Sequence, residues 1–148
     1  THSYKYFKLL PFFIGWDMPS DEEWKQLEVF IGMSQADADS IGERGTIAPK
    51  LKSSSGWEYI IDGRYYDENG TDDYGFSVLP CGNRHYWTSR TTEFVNLNYG
   101  TEFWTSTENS DIFAWSRRFN WSTSSIRRGG YWVGKVNGFS VRCVKDTE

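Results

Sequence analysis

Two stretches in the first third of the chain have the polar and apolar spacing of amphipathic helices. Each begins with a serine at an N-cap position: Ser20, which forms a capping-box pattern with Glu23, and Ser34. Apolar residues then recur at helical intervals until a glycine ends the pattern. Helices are therefore predicted over 20–31 and 35–41.

The pattern changes after Gly45, where short aromatic or β-branched runs alternate with clusters of Gly, Ser, Asn, Asp and Thr. These runs predict strands at 57–61, 75–80, 102–107, 113–119 and 138–145. The stretches 84–102 and 122–137 are expected to be long loops, and their aromatic content favours ordered ones. Helical signal lies early and strand signal late, which indicates an α+β fold with antiparallel pairing.

Composition is typical of one globular domain, residues 1–148, with an unusually large share of aromatic residues. Aromatics make up 18% of the chain, so some are expected at the surface. The net charge of −4 argues against a nucleic-acid binder held by phosphate contacts. The apolar patch Leu9 to Ile14 is far shorter than the ~20 residues of a membrane span, so membrane insertion by this chain is not expected.

Charge is unevenly distributed along the chain. Residues 84–135 carry seven basic residues, six of them Arg, against four acidic ones. Arg and aromatic side chains supply much of the binding energy at interfaces, which favours a recognition face here. The alternative is an ordinary solvated surface.

The two cysteines, Cys81 and Cys143, either form one disulfide or remain free. They lie 62 positions apart (143 minus 81), which excludes the CxxC spacing of zinc and redox sites. Each follows a Gly-Phe-Ser-Val tetrapeptide, starting at Gly75 and at Gly138, but at different parity. The two thiols would then point to opposite faces of their strands, which weakens a direct cross-strand bridge.

Several segments, taken in order, resemble one known family. In the first half these are Trp24 to Glu28, Gly32 to Gln35, Ala38 to Ser40, Gly45-Thr46 and Leu51 to Trp57. In the second half they are Gly70 to Ser77, Trp104 to Asn109, Ala114-Trp115 and Asn137 to Cys143. From about residue 15 to residue 146, the chain is similar to the Fibrobacter succinogenes major paralogous domain.

The resemblance implies a C-type-lectin-like fold, with two N-terminal helices, small antiparallel β-sheets and long loops. It also implies a secreted or cell-surface protein of bacterial or phage-associated origin. Related scaffolds serve as display frames in the variable proteins of diversity-generating retroelements. The same broad fold also hosts formylglycine-generating enzymes.

The chain departs from the family pattern at its cysteines and in its loops. Where the family usually has a Cys-Pro pair before Gly-Trp-His, this sequence reads Phe12 to Asp17, so the family's partner for Cys143 is missing. Cys81 stands where the family more often has Gly. Either a rearranged Cys81–Cys143 bridge exists or the family disulfide is lost. Loop segments usually rich in Asn and Ser hold Arg, Tyr and Trp instead, which fits a diversified binding surface or neutral drift.

Catalytic and metal-binding motifs are not found in the sequence. There is no GxSxG, P-loop or HExxH motif, and neither His2 nor His85 lies near a nucleophile motif, so no enzyme and no cofactor are expected. The acidic run Asp67 to Asp73 does not match an EF-hand loop. Asp72 and Asp73 are expected to cap a turn before the Gly75 strand rather than to bind calcium.

Strand alternation divides the residues around Arg117 into two sets. The inward set is Trp115, Arg117 and Phe119, and the outward set is Ser116, Arg118 and Asn120. We assign the inward set to the core, with Arg117 buried beside a carboxylate, and the outward set to a surface shared with the long loops. The proposed binding face consists of Arg and aromatic residues: Tyr86, Trp87, Arg90, Tyr99, Phe113, Arg118, Trp121, Arg127, Arg128, Tyr131 and Trp132.

Three functions are compatible with such a face. The first is a non-enzymatic module that recognises a protein or host-surface ligand. The alternatives are a calcium-independent carbohydrate-binding module and a structural accessory domain of a larger surface protein. Mixed Arg and aromatic loops favour a protein ligand, because sugar sites tend towards aromatic, carboxylate and amide sets.

Overall fold

Both predicted helices are present in the computed structural model, which describes residues 15–86, 92–130 and 133–145. The helices of this part of the chain are α1 (Asp21–Phe30), α2 (Gln35–Asp39) and α3 (Ala48–Leu51). The single turn of α3 is not predicted, because four residues are too few to show helical periodicity.

The N-terminal caps of α1 and α2 form as predicted. The Ser20 hydroxyl accepts a hydrogen bond from the Glu23 amide, and the Glu23 carboxylate accepts one from the Ser20 amide. In the same way the Ser34 hydroxyl accepts a hydrogen bond from the Asp37 amide at 3.0 Å. Helix α1 ends before Gly32, whose φ of 111° is a conformation that glycine adopts readily.

Strands account for more of the described backbone than helices do. They are β1 (Trp16–Asp17), β2 (Gly42–Arg44), β3 (Glu58–Ile61), β4 (Arg64–Asp67), β5 (Cys81–Tyr86), β6 (Thr92–Leu97), β7 (Gly100–Glu108), β8 (Ala114–Asn120), β9 (Ile126–Gly129) and β10 (Val144–Lys145). A six-stranded sheet has the order β2-β9-β8-β7-β5-β6, while β1 pairs with β10 and β3 pairs with β4. The chain thus mixes a few short helices with mostly sheet, in line with the α+β prediction.

Three of the five predicted strands, 57–61, 102–107 and 113–119, are confirmed by β3, β7 and β8. The stretches 75–80 and 138–145 contain only isolated bridges and β10, so these two predictions are mostly wrong. The segment around Ser140 lies between parts of β5 and β7. Gly138 forms an isolated bridge with Arg84 of β5, and Ser140 forms one with Phe103 of β7.

Both predicted loops contain strands. The stretch 84–102 includes part of β5 and all of β6, and 122–137 includes β9. Strand β6 escapes prediction because it lies at the sheet edge with both faces largely exposed, so its sequence does not alternate between apolar and polar. Strand β9 is only four residues long.

The main core lies between α1 and the six-stranded sheet. Its larger buried side chains are Trp24, Ile31, Leu51, Trp57, Val78, Phe103, Phe119 and Ile126. Trp24 of α1 packs against Phe103 of β7 with ring centroids 5.8 Å apart, which fixes the helix against the sheet. The core assignment of Phe119 is confirmed.

Candidate functional site

One lateral row of charged residues crosses four strands of the six-stranded sheet. Glu43 on β2 pairs with Arg127 on β9. Arg127 pairs in turn with Arg118 on β8, and Arg118 pairs with Glu102 on β7. Residues directly opposite on neighbouring strands project to the same face, so we call these four residues the charged row. It brings two predicted binding residues, Arg118 and Arg127, together.

The two arginines at the centre of the charged row are only partly neutralised. Arg118 Nη2 lies 3.2 Å from Glu43 Oε1, and the Arg118 Nε has no hydrogen-bond partner. Arg127 is exposed and forms no ion pair with any other described residue. Like charges directly opposite on neighbouring strands repel, so an anion between these guanidinium groups would relieve a cost already present in the fold.

The carboxylates at the two ends of the charged row differ in burial. Glu43 is exposed and accepts a hydrogen bond from the Ser125 hydroxyl at 2.6 Å. Glu102 is only 6% exposed and accepts one from the Ser116 hydroxyl at 2.7 Å. Burial raises the pKa of Glu102, an effect that the Ser116 hydrogen bond and the Arg118 charge offset only in part.

The outward assignment of Ser116 is wrong, because that side of β8 is covered. Ser116 is fully buried. A Cβ on Gly129 would come within 2.7 Å of the Ser116 hydroxyl oxygen and 2.9 Å of a Val133 methyl group. The chain at Val133 therefore lies over this part of the sheet, and Arg118 and Asn120 remain the partly exposed members of the outward set.

A set of exposed apolar residues lies on or next to the segment from Val133 to Gly138. Tyr86, Ile112 and Val136 are all exposed, and we call them the apolar rim. Hydrogen bonds tie them to the segment: the Tyr86 amide donates to Asn137 at 2.9 Å, and the Lys135 amide donates to the Ile112 carbonyl at 3.0 Å. This segment links the rim to the sheet face that carries the charged row.

The opposite face of the same strands holds a buried ion network. Arg44, Arg117 and Arg128 extend from β2, β8 and β9 towards Asp21 and Glu28 of α1. Glu28 accepts hydrogen bonds from Arg44 and, at 2.8 Å, from Arg117 Nε, while Asp21 accepts them from Arg117 and Arg128. The predicted burial of Arg117 beside a carboxylate is thereby confirmed, with 0% exposure.

Asp21 remains ionised within this network despite its burial. Burial alone would raise its pKa, but hydrogen bonds and charge from Arg128 and Arg117 outweigh that effect and lower the pKa below its usual value. The ionised carboxylate joins α1 to two strands at once, which keeps the helix and the sheet in a fixed relation.

Arg128 is therefore not part of an open binding face, and that prediction is wrong. It is 8% exposed, bonds Asp21 through Nε at 3.0 Å, and donates to the Asp39 carbonyl at 2.8 Å. Its guanidinium also lies 3.9 Å from the centre of the Trp115 ring. Trp115 is only half-buried, so its assignment to the core is wrong as well.

Two further predicted residues, Tyr99 and Trp121, pack into an aromatic cluster with Tyr59 and Tyr66. Tyr59 stacks on Tyr66 at 4.9 Å and meets Trp121 edge-on at 4.5 Å. These rings attach the β3–β4 hairpin to the end of β8, and Trp121 also packs on the main core. Tyr99 and Trp121 are half-buried, so packing takes up part of their surface.

The remaining predicted binding residues divide into three groups. Tyr86 is exposed at the end of β5 and belongs to the apolar rim. Phe113 is half-buried and forms a bridge with Gly134. The other four lie outside the described residues: Trp87, Arg90, Tyr131 and Trp132.

Neither a metal cluster nor a disulfide is found among the described residues. No group of three or more His, Cys, Asp or Glu side chains is placed to hold an ion in the part of the chain that is described. Asp72 accepts a hydrogen bond from the Ser77 amide at 2.7 Å, which confirms its predicted role as a turn cap. Cys81 and Cys143 are both free and exposed.

Sequence reasoning missed Glu43 and Glu102 as members of the site. Glu102 begins the predicted strand 102–107, but its position opposite Arg118 depends on a register that no local pattern specifies. Glu43 lies on a three-residue strand between glycine-rich turns, where no strand is predicted. The one usable signal is the acidic Glu102 directly before the aromatic pair Phe103-Trp104 in a predicted strand.

These features define a small domain of helices and strands with an arginine-rich sheet face. The chain belongs to the Fibrobacter succinogenes major domain family, whose model matches residues 8–145. No curated protein and no solved structure matches the chain. Among the described residues, no helix is long and apolar enough to cross a bilayer.

Proposed function

We propose that this chain is a non-enzymatic recognition module with a C-type-lectin-like fold, which binds a protein or host-surface ligand through the charged row and the apolar rim. The observation that carries the proposal is the pair Arg118 and Arg127, adjacent on one sheet face and matched by only one engaged carboxylate. Arginine forks bind carboxylates in planar, bidentate geometry, and arginine is enriched at the energetic centres of interfaces.

The chemistry of Arg118 and Arg127 supports binding rather than catalysis. Arginine stays protonated at any physiological pH, so it can orient and neutralise a ligand but cannot exchange a proton with it. The apolar rim supplies further contact area, and interfaces commonly combine aromatic anchors with arginine.

The proposed fold and location rest on the family, and the fold also on the pairing of the first and last described strands. Strands β1 and β10 bring the two ends of the described chain together, and the family resemblance implies a C-type-lectin-like scaffold. We place the protein outside the cytoplasm, on a bacterial surface or a secreted or phage-associated assembly, where such a module would display its ligand face.

Peptides selected on the wild-type protein from a phage-displayed library test the proposal. Arg127→Glu should weaken the selected peptides at least about tenfold, which corresponds to ~1.4 kcal/mol. The matched control is Arg64→Glu on β4, which makes the same charge change at another exposed position and should leave the affinity unchanged. Equal effects of the two variants, or none from Arg127→Glu, would contradict the proposed face.

Calcium-independent carbohydrate binding is a second candidate, favoured by the partly exposed rings of Tyr66, Tyr99 and Trp121. A glycan array, read with and without calcium, tests it directly. Glycan binding that Tyr66→Ala abolishes and Arg127→Glu leaves intact would replace the first proposal with this one. Silence on the array together with no selected peptide would leave a structural accessory domain of a larger surface protein as the function.

A further inference from the structure

The six-stranded sheet ends in two edge strands that differ in length and protection. Strand β2 has three residues, Glu43 is held there by Arg118 and Ser125, and Arg44 points into the core. At the other edge, β6 has six residues and pairs only with β5 among the described strands. Short strands and engaged charges protect an edge, so β2 is protected and β6 is not.

The side chains of β6 do not close this edge either. The strand contains no Pro and no Lys, and its single charged residue is Glu93. Phe94 is 89% exposed and Leu97 is 65% exposed. An open edge strand with exposed apolar side chains favours pairing with another strand. Such pairing satisfies the free backbone hydrogen-bonding groups and also buries the apolar side chains.

We propose that β6 pairs with β6 of a second copy of this chain, forming an antiparallel two-fold dimer that extends the sheet. When the two-fold axis is perpendicular to the sheet, the side chains of the two copies match face for face only if one residue lies directly opposite the same residue of the second copy. The register is therefore defined by the residue at the axis. An axis at Glu93 would place two carboxylates opposite each other and is disfavoured.

An axis at Phe94 satisfies both charge and packing. Glu93 then lies opposite Val95 of the second copy, so no like charges meet, and the two Phe94 rings face each other. Asn96 has a φ of 63°, which limits the flat part of the strand to Thr92 to Val95, so the pairing is centred at Glu93 or Phe94. Charge repulsion disfavours Glu93, so backbone geometry and charge together select Phe94.

This inference is separate from the charged row of the proposed ligand face. The charged row lies on β2, β9, β8 and β7, and the pairing edge is β6, although Tyr86 of the apolar rim lies opposite Thr92. Loss of ligand binding in Arg127→Glu with the dimer retained, or the reverse, distinguishes failure of one proposal from failure of the other.

Sedimentation velocity of the full 148-residue chain, over roughly a hundredfold range of concentration, tests for the dimer. Wild type should shift from monomer to dimer as concentration rises, and Phe94→Lys should remain monomeric because two ammonium groups would meet at the axis. The control is Ile60→Lys on β3, also an exposed apolar position, which should dimerise as wild type does. A monomeric wild type, or equal dimerisation of both variants, would overturn the proposal.

A cross-link tests the register. In a background with Cys81→Ser and Cys143→Ser, Phe94→Cys should form an intermolecular disulfide on mild oxidation, because directly opposed antiparallel residues have Cα atoms about 4.5–5.5 Å apart, within disulfide reach. Ile60→Cys in the same background should cross-link far more slowly. Equal rates for the two would refute pairing at Phe94.

Discussion

Substitution of Asp21 should lower the free energy of unfolding of the domain more than is usual for so small a side chain. Its carboxylate accepts hydrogen bonds from Arg117 at 2.7 Å and from Arg128 at 2.6 and 3.0 Å. Each charge-assisted bond contributes about 1.5–3 kcal/mol. The losses do not simply add, because Arg117 keeps its 2.8 Å bond to Glu28 and Arg128 keeps its 2.8 Å bond to the Asp39 carbonyl.

We therefore expect Asp21→Ala to lower the free energy of unfolding by ~3–5 kcal/mol, the usual result of leaving a buried charge without its partner. Urea unfolding at pH 7 measures the change, with the midpoint and slope fitted together. Asp39→Ala is the matched control, since its exposed carboxylate pairs with Lys25 at 2.9 Å and should matter little. Equal losses for the two variants would refute the assigned role of the network.

The pH dependence supplies a second check on the same residue. The folded-state pKa of Asp21 is lowered, so its ionised form stabilises the protein above the unfolded-state pKa of about 3.9 and loses that effect as the pH falls through the folded value. The stability gap between wild type and Asp21→Ala should therefore narrow below pH ~4. A gap that stays constant down to pH 3 would show that the lost stability does not come from the ionised carboxylate.

Three further predictions concern other parts of the fold. Burial lowers the pKa of Lys52 to about 8. The buried charge therefore destabilises the folded protein below pH 8, and this effect is lost as the pH rises from there to the ordinary lysine pKa of 10.5. Lys52→Met should accordingly be more stable than wild type at pH 7, by ~2–3 kcal/mol. Thermal unfolding should show this difference in stability shrinking by pH 10, and a difference that stays constant would point to packing instead. Gly82→Ala should cost more stability than Gly63→Ala, since both have positive φ but only a Cβ at Gly82 would meet the Val95 carbonyl, at 2.5 Å; equal unfolding midpoints would contradict this. Both Cys81 and Cys143 should react with a thiol reagent in the native state, and recovery of fewer than two fast-reacting thiols would contradict their exposure.

The helices were predictable because their signals are local. The Ser20 cap and the apolar spacing after it need no knowledge of the rest of the chain, and α1 begins within a residue of its predicted start. The strands whose apolar residues face the core, such as β7 and β8, were found for the same reason. Strand β6 could not be found this way, because neither of its faces is buried and its sequence has no alternating pattern to detect.

The candidate site was only half predictable, and the two pairs of neighbouring arginines explain why. Arg117-Arg118 and Arg127-Arg128 look alike in sequence, but strand alternation sends one member of each pair to the buried network and the other to the charged row. Alternation assigned the first pair correctly because β8 was predicted. The sequence predicts a loop where β9 lies, so it places both members of the second pair on the surface, which is wrong for Arg128.

The different roles of the outward and inward arginines determine how the sheet face that carries the charged row could vary between proteins of the same fold. Arg118 and Arg127 touch solvent and hold little of the structure, while Arg117 and Arg128, one residue away, hold α1 against the sheet through Asp21. Substitutions at exposed strand positions usually change stability by less than ~0.5 kcal/mol, whereas breaking a buried ion pair costs ~3–5 kcal/mol. Positions 118 and 127 can therefore change their ligand chemistry freely, provided that no insertion or deletion shifts either strand by one residue. Such a shift would exchange the two sets of arginines, exposing the network and burying the charged row, so we expect variation in this face to consist of substitutions and of length changes beyond the ends of the strands.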